Sequence, residues 1–316
     1  MKKLLKECLY ILFVVTVLFF LSEQPSLSGT VKFAQLSDIH YSTTRDDTSY
    51  KLLSKTKPLL KDAIHQINNE KNIDFVMLTG DIVDIPSEKS FLDATEVLKT
   101  INYPFYFVLG NHDITNTGDF TKEKLLKILK EKNPKNTFDK TYYTFKHKGN
   151  FRIIVLDGVR NEKFNSAKGE ISKEQLVWLD KILSKSKKDV VLIFIHFPLF
   201  APYDSPNHEI INKKEFKAVL EKYNMPIGIF SGHYHTTKIR KMGNILHVST
   251  PALATYPHAF RVVEVENKRN KAIFNFKYME TNLKDLQAKT KILTLGGTKF
   301  YGLERDRNTT VIIKKN

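Results

Sequence analysis

Ile229-Phe230-Ser231-Gly232-His233-Tyr234-His235 is the stretch on which the reading of this chain turns. An apolar run halts at a glycine and then presents two histidines two residues apart. Alternate side chains of an extended backbone leave on one side, so both rings would point the same way, as a pair of metal ligands does. A lone His-x-His is weak evidence, but four more apolar runs end in similar residues: Asp38-Ile39-His40, Gly80-Asp81-Ile82-Val83-Asp84, Gly110-Asn111-His112-Asp113 and the single His196. Strands that share a direction in one sheet deliver their C-terminal ends to one edge, where the loops form a crevice. Five of the ten histidines stand at these ends, which scatter does not usually produce.

Outward from these ends, Val31–Ser37, Ile73–Thr79, Pro104–Leu109, Val190–Ile195 and Pro226–Ser231 read as strands, the continuous apolar runs among them as strands buried on both faces. Helical spacing falls between them, over Leu52–Asn68, Phe91–Lys99, Thr121–Lys132 and Lys213–Tyr223, with Asn133-Pro134 ending the third. Ser172, with Gln175 three residues later, opens another helix. Tyr142–Phe145 and Phe151–Leu156 flank Lys148-Gly149-Asn150 and predict a hairpin. Ile245–Ser249, Phe260–Val265 and Ala272–Met279 read as strands of a second sheet. Phe197–Asn212, with three prolines, reads as a long loop over the site. The alternation of strand and helix favours one α/β domain over residues 29–280. Residues 281–316 carry no motif and read as a C-terminal extension of unknown role.

The net charge of +16 comes mostly from lysines dispersed over helices and loops. No aromatics are interleaved with arginine, so the pattern is that of a solvated basic surface and not of a specific nucleic-acid groove. Such a surface would still draw in an anionic substrate or an acidic membrane face. The only cysteine, Cys8, allows no intrachain disulfide and no thiolate zinc site, so a metal must be held by nitrogen and oxygen. Residues 1–28 start with lysines, run apolar from Leu9 to Leu21 and end polar, which reads as a secretory signal. The apolar run is short of the roughly 20 residues that span a bilayer. An uncleaved N-terminal membrane anchor is the alternative, and both place the remainder outside the cytoplasm.

Asp38, His40, Asp81, Asn111, His196, His233 and His235 are too many ligands for one ion with an open position. With Asp81 bridging, they suit two divalent ions of about four protein ligands each, Mn, Fe or Zn by donor type, roughly 3.5 to 4 Å apart as in other two-metal hydrolases. Two carboxylates against two divalent cations leave positive charge that would hold a bridging water as hydroxide near neutral pH.

Asp-x-His, Gly-Asp-x-x-Asp, Gly-Asn-His-Asp, a lone histidine after a strand and Gly-His-x-His, in this order, resemble the calcineurin-like metallophosphoesterase superfamily over about residues 31–279. Tyr142-Tyr143-Thr144-Phe145, Ile154-Val155-Leu156-Asp157 and Gln175-Leu176-Val177-Trp178-Leu179 add to the likeness. The resemblance implies an α/β four-layer sandwich, two mixed β-sheets flanked by α-helices. It gives Asp38, His40, Asp81 and His235 to one ion and Asp81, Asn111, His196 and His233 to the other. It places His112 beside the leaving group as a donor, with Asp113 orienting its ring and Asp84 just outside the ligands. Gly-Asn-His-Asp, in place of Gly-Asn-His-Glu, is closer to the branch of class III cyclic-nucleotide phosphodiesterases and glycerophosphodiesterases. Ile85 stands where phosphoprotein phosphatases have arginine. The implied function is hydrolysis of a small phosphodiester or phosphomonoester by in-line attack of a metal-bridging hydroxide. The competing reading is a non-catalytic scaffold, but scaffolds usually have gaps in the ligand set and none is missing here. His208, His247 and His258 read as surface or core groups, and Tyr203 and Asp204 as candidates to touch substrate.

Overall fold

Phe75–Thr79 is buried at all five positions, so layers must cover it on both sides. The computed structural model, which describes residues 28–315 apart from 116, 117, 119, 133–137, 161–165 and 296, shows those layers. The strands are β1 (Gly29–Leu36), β2 (Phe75–Thr79), β3 (Phe105–Val108), β4 (Tyr143–His147), β5 (Phe151–Val155), β6 (Val190–Phe194), β7 (Ile227–Ser231), β8 (Lys238–Met242), β9 (Ile245–Ser249), β10 (Ala259–Lys268), β11 (Lys271–Glu280) and β12 (Thr309–Lys314). Between them run helices α1 (Thr56–Asn69), α2 (Glu88–Leu98), α3 (Lys122–Lys132), α4 (Lys173–Ser184), α5 (Lys213–Glu221), α6 (Lys284–Leu293) and the single turn α7 (Thr298–Tyr301).

One sheet has the order β12-β11-β10-β1-β2-β3, the other β4-β5-β6-β7-β9-β8. Both are mixed. β1, β2 and β3 run parallel, and so do β5, β6, β7 and β9. The two sheets meet across an aromatic core in which the Phe33 ring lies 5.1 to 5.3 Å from those of Phe75, Phe194 and Phe230. Helices cover the outer faces: Leu59, Leu60, Ala63, Ile64 and Ile67 of α1 are buried, as are Phe216, Val219 and Leu220 of α5. Ser172 caps α4 by accepting the N–H of Gln175, as its spacing predicts. The sandwich of two mixed sheets flanked by helices is the expected one.

Two expectations are corrected. Phe260–Val265 and Ala272–Met279 belong to β10 and β11 of the first sheet, where β10 pairs antiparallel with β1; only Ile245–Ser249 lies in the second. Alternation shows that a strand has two faces, but not which sheet edge it joins. Residues beyond 280 also carry structure: β12 extends the first sheet beside β11 and puts buried Ile313 into the core between the sheets. The fully buried Arg261 holds this segment, donating from Nη2 to the carbonyls of Asp306 (2.7 Å) and Ser249 (3.3 Å). Asn133-Pro134 and residues 1–27, with the apolar run and Cys8, lie outside the described residues. Among the described residues no helix is long and apolar enough to cross a membrane.

His258 ties α6 to the domain, bonding the Leu253 carbonyl through Nδ1 and Thr290 Oγ1 through Nε2, both at 2.8 Å. Burial drives its pKa down to about 4, against the pull of the Leu253 bond. A ring that takes a proton more readily unfolded than folded supports the fold fully above its ordinary pKa of about 6.5. That support is lost as pH falls toward 4. Thermal melts should therefore show a stability loss over this window that is shallower in His258→Gln; equal slopes would remove the assignment.

Candidate metal centre

The strand ends leave their sheets through a backbone conformation that most side chains avoid. Asp38, His40, Asp81, His233 and His235 all have φ between 46° and 69°, the left-handed region, which costs on the order of 1 to 3 kcal/mol per residue and persists only where surroundings enforce it. The enforcement is visible. Asp38 and His40 donate their N–H groups to the carbonyls of Gly80 (3.1 Å) and Asp81 (2.9 Å), so the loops after β1 and β2 hold each other. Gly232 permits a third approach, since a Cβ there would run into Ser37 Oγ and Asp38 Oδ2. The N–H of His233 then reaches Asp38 at 3.0 Å.

Two triads result. Asp38, His40 and His235 form one, with Asp38 Oδ1 3.3 Å from His235 Nε2 and the two Nε2 atoms of His40 and His235 3.3 Å apart. Asp81, His196 and His233 form the other, with Asp81 Oδ2 3.3 Å from His196 Nε2, itself 3.2 Å from His233 Nδ1. Asp81 Oδ2 also lies 3.6 Å from His40 Nε2 and so stands between the triads. In each triad the ligand atoms lie within 4.8 Å of one another. Asn111 lines the same cavity, its Oδ1 buried with no hydrogen-bond partner.

The donor set fits cations. His196 Nδ1 bonds the Thr79 carbonyl and His233 Nε2 the Ala167 carbonyl, both at 2.8 Å. A carbonyl only accepts, so each outer nitrogen carries a proton and the inner nitrogen is the one that can offer a lone pair to a cation. Those nitrogens, the Asp81 carboxylate and the unpartnered Asn111 oxygen converge on one place, the arrangement that a bound cation satisfies. Charge agrees. Burial alone would lower His196, but Asp81 and Asp38 outweigh it and push it up to about 9. Burial would raise Asp38, yet His235 and His196 hold it well below the carboxylate range. The carboxylates call for positive charge at this point.

Around the triads the structure redistributes two expected roles. Asp113 does not orient His112. Its buried carboxylate accepts the N–H groups of Asp81 (2.9 Å), Ile82 (2.6 Å), Val83 (3.2 Å) and Gly110 (2.8 Å), fastening the loop that carries Asp81. Burial and the Asp81 charge push it up to about 7 against those donors. Asp84 does the orienting instead: its carbonyl accepts from His112 Nδ1 at 2.7 Å, and its Oδ1 lies 3.3 Å from His40 Nδ1. Burial and Lys51 drive His40 down to about 3.

A cavity of about 250 Å³ opens over both triads, and His112, Tyr203 and His208 line it. Asp204 is exposed. His247 sits inside β9 against the Phe200 ring, 4.4 Å between centres, and His258 under α6, so both are packing residues. Sequence reasoning missed Lys51, Tyr50 and Phe300, which also line the cavity. Lys51 is buried, 3.3 Å from Asp84 Oδ1 and 3.2 Å from His40 Nδ1; one lysine at the end of a polar loop, in a chain rich in lysine, gives no signal.

Known proteins are similar to this chain. The profile of the family described as calcineurin-like phosphoesterase matches residues 31–237. A probable glycerophosphodiester phosphodiesterase of Arcobacter nitrofigilis is 26% identical over 210 residues, 64% of this chain and 70% of the relative. A 3',5'-cyclic adenosine monophosphate phosphodiesterase of Haemophilus influenzae is 24% identical over 226 residues, 70% of this chain and 76% of the relative. Among solved structures, a dimetal phosphatase from Danio rerio superposes with a TM-score of 0.59 at 19% identity, covering 78% of this chain and 95% of its own, which speaks to the fold. Since that profile takes in every strand end of the two triads, the chain belongs to the calcineurin-like phosphoesterase family.

Proposed function

We propose that the protein hydrolyses a phosphodiester of a small alcohol, using two divalent metal ions. The observation that carries this reading is the convergence of ligand atoms from two triads, with Asp81 standing between them, at the floor of an open cavity. Asp38, His40, Asp81 and His235 would hold one ion and Asp81, Asn111, His196 and His233 the other. When bound, two such ions neutralise phosphoryl oxygens and activate water for in-line displacement. Mn, Fe or Zn suits the nitrogen and oxygen donors.

The chain's own residues supply the rest. Asp84 fixes the His112 ring through Nδ1, so its Nε2 is the edge free to protonate the departing alkoxide. Lys51 and Asp84 fix His40 from behind. The names of the relatives support a diester over a monoester. The assay is turnover of bis(4-nitrophenyl) phosphate against 4-nitrophenyl phosphate with Mn, Fe, Zn or Co, before and after chelation, alongside metal content per chain. We expect about two ions per chain and chelator-sensitive turnover of the diester. No bound metal, and no turnover with any of the four, would overturn the reading. We further infer export through residues 1–28, on the sequence alone; N-terminal sequencing of the mature protein distinguishes cleavage from anchoring, and a cytosolic protein with Met1 intact would refute both.

A further inference from the structure

The segment after β11, beyond the family match, reaches the mouth of the cavity. Thr237, two residues after His235, donates its N–H to the Phe300 carbonyl at 3.0 Å, and Thr236 Oγ1 donates to the Lys299 carbonyl. Gly302 packs so closely on the Thr237 carbonyl that a Cβ would collide with it. The segment is thus stitched to the loop that carries His233 and His235. It puts Phe300 in the wall of the cavity that Tyr203 and Tyr234 also line. It also sets the Lys299 ammonium 3.5 Å from the centre of the Tyr203 ring.

Lys299 is exposed, and among the described residues it has no carboxylate within ion-pair distance. Lys51, the lysine that lines the cavity itself, is engaged by Asp84. Opposing charge on the loop is modest: Asp204 and Glu209 act on Tyr234, and Glu209 is paired with Lys213. Resting on the phosphodiesterase reading, we propose that Lys299 and Phe300 select the substrate: Phe300 bounds the space for the alcohol part of the ester, and Lys299 favours esters whose alcohol bears a second negative charge. A cation held over an aromatic face at a cavity mouth can leave that face for an anion at little cost.

The test uses the full chain loaded with metal and three 4-nitrophenyl phosphodiesters, whose second alcohol is 3-hydroxypropionate, ethanol or choline. Wild type should show kcat/KM in that order, carboxylate over neutral over cation. Lys299→Met, which keeps the aliphatic stem over Tyr203, should shrink the carboxylate-to-choline ratio by about five-fold, the scale of one partly exposed charge pair. Lys299→Glu should reverse the ratio, with kcat for the ethyl ester unchanged in both. Phe300→Ala should raise KM several-fold at near-constant kcat. A ratio that is the same in wild type, Lys299→Met and Lys299→Glu overturns the proposal and leaves the enzyme reading standing. A wild type that turns over none of the three esters removes that reading, and this inference with it.

Discussion

Asp81→Asn is expected to leave the protein folded, strip at least one ion from each chain and lower kcat/KM by about 10³-fold or more. Asp81 Oδ2 is the carboxylate oxygen facing both triads, 3.6 Å from His40 Nε2 and 3.3 Å from His196 Nε2. The asparagine keeps the size of the group and can still accept the His112 N–H that Oδ1 takes at 2.8 Å. Only the charge is lost. With it goes one of the two carboxylates that, on the proposed reading, would offset a pair of divalent cations. Metal-centred stabilisation of the transition state is worth several kcal/mol, and each 1.36 kcal/mol is about ten-fold in rate. Elemental analysis read against activity checks the result; a variant that keeps two ions and near wild-type turnover would show that Asp81 is not shared.

Asp113→Ala should act on stability first. It deletes the acceptor of four backbone N–H groups in a place closed to water. Breaking a buried charged network by removing one member commonly costs about 3 to 5 kcal/mol, which in a domain of this size lowers Tm by on the order of 10 °C. Because the same carboxylate holds the left-handed turn at Asp81, metal affinity should fall as well. Asp113→Asn retains one acceptor oxygen and should fall between. A melting point within about 2 °C of wild type for the alanine variant, small on the scale a lost buried bond sets, would mean that those N–H groups have other partners.

Much of this was legible beforehand, for a reason specific to parallel strands. The ends of β1, β2, β3, β6 and β7 can be recognised because their apolar runs stop abruptly at Asp, His or Gly, and parallel pairing aligns those ends within each sheet; that the two edges meet comes from the packing of one sheet on the other, which no single run encodes. The roles of Asp84 and Asp113 could not be read the same way. Both follow a strand by a few residues, and which one orients a ring depends on where backbone N–H groups point, which spacing does not encode. Lys51 and Phe300 reach the cavity through long-range contacts, the bridge from Lys51 to Thr255 and the bond from Thr237 to Phe300. No local pattern announces either.

β1 runs the eight residues from Gly29 to Leu36, about 23 Å from end to end at the rise of an extended chain, and Asp38 follows its far end. At the end of β1 away from the cavity, Gly29 packs on Gly149 in the turn between β4 and β5, so the two sheets meet there backbone to backbone. A side chain at either glycine would have to wedge the sheets apart at that end, so the closeness of the sandwich there depends on two residues that carry none.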